Sequence, residues 1–88
     1  MNRIQTIEAI LRKALNVESL DLIDESHKHA GHAGAKSGGG HFDLTIVSAA
    51  FEGVNTLGRH RLIYDALADM MQSEIHALSI KAFTPEEF

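Results

Sequence analysis

Between Asp24 and Phe42 the chain reads DESHKHAGHAGAKSGGGHF, and this stretch limits what the other residues can build. It holds four of the six histidines (His27, His29, His32 and His41), five of the seven glycines and no proline. Glycine at this density populates many backbone conformations, so the segment is expected as a mobile loop rather than as regular structure. The runs on either side alternate apolar and polar residues, and each reads as a strand. Imidazole is the usual neutral metal ligand and titrates near physiological pH. A loop of this kind, held between two strands, is either a metal-binding arm or a solvated excursion of a hairpin.

Around the loop the pattern is that of one small domain covering residues 1–88. Asn2 is placed to cap a first helix, with Gln5 three residues on as its capping-box partner. Ile4, Ile7, Ile10 with Leu11, and Ala14 with Leu15 trace an apolar stripe at helical spacing that ends near Asn16. From about Ser19, Leu20, Leu22 and Asp24 alternate with Asp21, Ile23 and Glu25 in a first strand. After the loop, His41 to Ser48 is the clearest strand, with Phe42, Leu44 and Ile46 on one face and His41, Asp43, Thr45 and Val47 on the other. With no helical pattern between them, these two strands should pair antiparallel.

Ala49 to Gly58 is a junction with room for one helical turn around Phe51. A second helix is expected from about Thr56 to Ser73, burying Ile63, Leu67, Met70 and Met71 with Tyr64 at its edge. A last strand, His76 to Phe83, places His76, Leu78 and Ile80 on one face and Ala77, Ser79 and Lys81 on the other. A strand, helix, strand crossover makes the second and third strands parallel. Thr84, Pro85 and Glu87 read as the start of one more helical turn. The fold class is α+β in the order αββααβ: a three-stranded mixed sheet with helices packed on one face.

Composition narrows the function. The formal charge is −4 with histidines neutral, which argues against broad electrostatic binding of nucleic acid. There is no cysteine, so an iron–sulfur site would need thiolates from another molecule. No apolar run approaches membrane-spanning length and no signal-peptide pattern opens the chain, so a cytoplasmic protein without membrane contact is expected. Ser26 beside His27 makes no catalytic couple, because neighbours along a strand point to opposite faces. There is no Walker or Rossmann glycine pattern either, and no enzyme is expected. Gly31-His32-Ala33-Gly34 matches the Gly-x-x-Gly of KH domains literally, but that loop joins two helices, and we read the match as coincidence.

Two other places carry candidate chemistry. Arg59-His60-Arg61 opens the second helix, with His60 on the face of Ile63, Tyr64 and Leu67. The two arginines flank that face, where they can meet a phosphate or a partner's carboxylate, or pair with Asp65 and Asp69. His76 stands at the rim of the sheet on an ordered backbone, where a capping or core-edge role is the simplest reading.

Taken together, DESHKHAGH, GHFDLTIVSAAFEG, RHRLIYDAL and IHALSIKAFTPEEF resemble the BolA family over nearly the whole chain. The resemblance implies a class II KH-like fold. It also implies an adaptor that pairs with a monothiol glutaredoxin and shares a bridging 2Fe-2S cluster held partly by glutathione. On this resemblance His76 is a cluster ligand and His29 the loop ligand, with His32 and His41 as substitutes. Ligation by two histidines and two thiolates resembles a Rieske centre. A second implied class is a DNA-binding transcriptional regulator contacting DNA through Arg59, His60 and Arg61. A weak homodimer stays open, as does weak binding of a single copper, nickel or zinc ion by the loop alone.

Overall fold

The computed structural model describes residues 2–25 and 40–88. The expectations for the loop, including its Gly-x-x-Gly match and His27, His29 and His32, lie outside the described residues. The element order is α1 (Arg3–Ala14), β1 (Val17–Asp24), β2 (Gly40–Ser48), a 3-10 turn (Ala49–Phe51), α2 (Thr56–Ala66), α3 (Ala68–Met71) and β3 (Ile75–Phe83). The sheet has the order β1-β2-β3, with β1 antiparallel and β3 parallel to the central β2. This is the α+β architecture expected from the alternation of strand and helix patterns.

Helix α1 starts as its first residues dictate. The Asn2 side chain accepts from the Gln5 backbone N–H at 2.8 Å, and Gln5 Oε1 accepts from the Asn2 N–H at 3.2 Å. Its stripe buries Ile7 and Leu11 fully against the sheet, while Ala14 is exposed and the helix ends there, before Asn16. Phe42, Leu44 and Ile46 of β2 meet Ile7 and Leu11 of α1, Ile63 of α2, Met70 of α3, and Phe51 in one core. Helices thus cover one face of the sheet, and the other face carries Asp21, Ile23, Asp43, Thr45, Ser79 and Lys81.

The buried Ser48 sets the corner after β2. Its hydroxyl donates to the Asn16 carbonyl at 2.9 Å and accepts from the Ala50 N–H at 3.0 Å. Gly53 follows at φ 74°, a left-handed conformation that favours glycine. The turn between these two residues drives Phe51 into the core with no exposed surface.

Three boundaries differ from the sequence pattern. Strand β1 begins at Val17, two residues early, because the bulge between Val17 and Ser19 carries pairing past the alternating run. The second helix is not continuous from Thr56 to Ser73: it breaks at Leu67, whose backbone (φ −99°, ψ 14°) leaves the helical region. No glycine or proline announces that break. Leu67 itself is buried, as are Ile63 and Met70 on either side of it, so packing rather than local propensity sets the break. Strand β3 begins at Ile75, and its first residues do not alternate, as described below.

After β3 the chain makes a single turn instead of a helix, but with the expected cap chemistry. Thr84 Oγ1 accepts from the Glu87 N–H at 3.3 Å, and Glu87 Oε1 accepts from the Thr84 N–H at 2.8 Å. Glu87 also receives both terminal nitrogens of Arg59, at 2.6 and 3.1 Å. Arg59 further donates to the carbonyls of Val54 (2.7 Å) and Ala82 (3.0 Å). This one guanidinium fastens the start of α2, the end of β3 and the final turn to each other.

Truncating the central aromatic, Phe51→Ala, should lower unfolding stability by about 3–5 kcal/mol, read from denaturant titration. The second prediction concerns acid. The hydrogen bonds from Arg59, then that from the Thr84 N–H, hold the Glu87 carboxyl down at about 2, against an ordinary 4.5. A depressed carboxyl adds stability that is complete above its unfolded value and is lost as pH falls toward its folded one. Glu87→Gln should therefore flatten the fall in melting temperature between about pH 4.5 and pH 2. An unchanged acid limb in that variant would remove Glu87 from the account.

Candidate metal-ligand pair at the sheet rim

The register of β2 against β3 slips by one residue at its start. Gly40 pairs with Ile75, but His41 pairs with Ala77, and His76 is the extra residue. A bulge of this kind re-aims side chains. Ile75 turns into the core at 3% exposure, and His76 is exposed instead of sharing the inward face of Leu78 and Ile80. His76 comes to lie beside His41, with ring centroids 4.9 Å apart and planes tilted by 46°. The simple alternation assigned to His76 is corrected here, and its physical cause is the bulge.

Backbone contacts hold this corner together. The Gly40 N–H donates to the Glu74 carbonyl at 3.0 Å, and the Glu25 N–H to the His41 carbonyl at 2.7 Å. The Glu74 side chain accepts from Arg3 Nε at 2.9 Å. A Cβ on Gly40 would stand 2.6 Å from the Phe42 ring and 3.1 Å from Arg3 Nη1, so a larger residue there would have to displace the Phe42 ring. The N-terminus of α1, the start of β2 and the start of β3 are therefore fixed at one point, next to the histidine pair.

Beside the pair, on the open face of the sheet, lies a shallow depression of about 370 Å³ lined by residues that include Glu25, His41, Asp43, Ala77 and Ser79. Asp43 Oδ1 is buried there without a hydrogen-bond partner among the described residues. Leaving such an oxygen unsatisfied costs about 1–3 kcal/mol, which a donor brought to this face would relieve.

The structure thus brings together two of the histidines singled out from sequence, His41 and His76. Among the described residues no group of three or more His, Cys, Asp or Glu side chains is arranged to hold a metal ion. Arg59, His60 and Arg61 stand on α2, away from the pair in the fold. Arg59 serves the clamp to Glu87 rather than pairing with Asp65 or Asp69. His60 is half-buried at the core edge, as its helical position suggests, but makes no hydrogen bond among the described residues. Arg61 is exposed. Sequence reasoning missed Asp43, Gly40 and Glu74, none of which carries a local motif. Only the cross-strand register reveals their part.

Comparison with known proteins agrees with the fold. Residues 11–87 match the family described as BolA-like protein. The SufE-like protein 1, chloroplastic/mitochondrial, of Arabidopsis thaliana is 49% identical over 82 residues, which cover 88% of this chain and 22% of that protein. The DNA-binding transcriptional regulator BolA of Escherichia coli is 38% identical over 84 residues, covering 96% of this chain and 77% of that protein. The solved BolA domain of Arabidopsis SufE1 superposes with a TM-score of 0.87 at 46% identity, covering all of this chain and 98% of that one. One of these names is organellar, so membership does not fix the cytoplasmic location expected from composition. No helix among the described residues is long and apolar enough to cross a membrane. The chain belongs to the BolA-like protein family.

Proposed function

We propose that this protein is a non-enzymatic adaptor that pairs with a monothiol glutaredoxin and supplies histidine ligands to a bridging 2Fe-2S cluster. The observation that carries the reading is the juxtaposition of His41 and His76 at the sheet rim. Two imidazoles this close support a shared ligand centre, for which the buried Nε2 of His41 has to be uncovered. The chain has no cysteine, and its described residues offer no third ligand at the pair. The remaining ligands then come from outside them. In this reading they are a cysteine of the glutaredoxin and the thiolate of its bound glutathione.

His76 is the anchored ligand. Its neighbours Ile75 and Ala77 are both paired to β2, which holds its backbone between them, so little freedom is lost on ligation. His41 stands at its side, and His29 and His32, outside the described residues, complete the set of candidate donors. When bound, a cluster held by two imidazoles and two thiolates has a higher reduction potential than one held by four thiolates. The chain's own part is to present the imidazoles at a rigid rim and to offer the neighbouring depression to the partner. Whether the cluster is passed on, sensed or stored is decided by what else docks there.

A second reading draws on the name of the E. coli relative, a DNA-binding regulator. Under it, the exposed Arg61 contacts phosphate, while Arg59 stays in its clamp.

The test is to combine the purified protein with a monothiol glutaredoxin, glutathione, iron and sulfide. A heterodimer should form with visible absorption and circular dichroism unlike those of the glutaredoxin homodimer. His76→Ala should abolish that spectrum with thermal unfolding unchanged, and His41→Ala should shift it. Co-elution failing together with an unchanged spectrum would sink the adaptor. For the second reading, Arg61→Ala should lower the salt slope of duplex binding by about 1. Tight, sequence-specific binding at physiological salt would put regulation ahead of cluster ligation.

A further inference from the structure

We propose that the depression beside the histidine pair is a socket for a lysine ammonium of the partner protein, with Asp43 as its counter-charge. The inference rests on the adaptor reading and names what the docking glutaredoxin has to bring. Asp43 lines the depression together with Glu25 and Ser79. Its Oδ1 is removed from water and has no hydrogen-bond partner among the described residues. The fold has thus already stripped this carboxylate of part of its hydration, the step that opposes ion pairing elsewhere. A cation arriving here feels a stronger attraction than it would at a fully hydrated acid.

Charge around the site fixes the sign of the occupant. Glu25, just beyond the end of β1, adds a second carboxylate to the lining, and the chain as a whole carries −4. Lys81 is the one lysine or arginine described on the open face of the sheet. It stands in the row of Thr45, two residues further along than the row of Asp43 and Ser79. Among the described residues no ion pair joins it to Asp43. The shielding of Oδ1 then decides which cation fits. Arginine pairs best by laying its planar fork across both oxygens of a carboxylate, and Asp43 does not present both. An ammonium is a compact charge with three donors that turn freely. Asp43 and Ser79 are neighbours across β2 and β3, so a carboxylate and a hydroxyl are available to it side by side. Ala77, in the same lining, gives the apolar stem of a lysine something to lie against.

Two measurements test the socket, one of them without a partner. Ser79→Lys puts an ammonium next to Asp43 within the chain itself. It should raise the melting temperature of the isolated protein, and should not do so when combined with Asp43→Asn. The same substitution should weaken binding of cluster-free glutaredoxin, read by calorimetry, because the socket is already filled. Asp43→Asn keeps the shape and removes the charge. It should weaken that binding about tenfold, between the effects of an exposed and a buried ion pair. Asp21→Asn, on the same face but outside the depression, should bind as the wild type does. Among glutaredoxin variants with one lysine replaced by methionine, one should lose the same factor, and pairing it with Asp43→Asn should add nothing further. Asp43→Asn binding as tightly as the wild type, or Asp21→Asn losing as much, would overturn the socket and leave the adaptor standing. So would a melting temperature that Ser79→Lys leaves unchanged, or a glutaredoxin in which no lysine matters. A wild type that forms no heterodimer would remove the adaptor and this inference with it.

Discussion

Strand β2 is bonded on both flanks, antiparallel to β1 and parallel to β3, while its inward side chains Phe42, Leu44 and Ile46 are almost wholly removed from water. Everything else in the domain is placed relative to that strand. A shift of one residue in its pairing would exchange its inward and outward sets, so the apolar face and the two ladders hold each other in register. In a domain this small, little surplus stability exists to tolerate an alternative register. The corner devices at either end of β2, Gly40 at its start and Ser48 at its finish, keep the strand from sliding.

Much of this was legible in the chain. The Asn2–Gln5 capping box, the alternation from Phe42 to Ile46 and the turn chemistry of Thr84 and Glu87 are local signals, and each appears as structure. What escaped were features that need two distant segments at once. Arg59 and Glu87 are 28 residues apart, so no helix-face argument could join them. The break at Leu67 answers to the core rather than to any residue at that position. The strand order, likewise, follows from how the two ladders meet on β2.

The candidate site divides along the same line. Histidine stood out in composition as the candidate ligand, and the position of His76 at the rim follows from its place at the start of β3. Its approach to His41 depended on the extra residue in β3, a property of pairing that neither strand displays alone. Alternation alone would have sent His76 toward the core, where an imidazole meets no partner protein. Moving it to the surface makes His76 accessible to a second molecule while leaving Ile75 to fill the interior.

The two hydrogen bonds that close the corner, Glu25 to His41 and Gly40 to Glu74, carry a consequence for how such chains can vary. They join the ends of β1, β2 and β3 through residues on either side of the interval between 25 and 40. Residues added or removed in that interval leave the parity of both flanking strands untouched. A single insertion between Glu74 and Ala77 would instead invert everything after it. Length is thus a free variable on one side of the histidine pair and a forbidden one on the other. Divergence between residues 25 and 40 can therefore proceed while the rim stays the same.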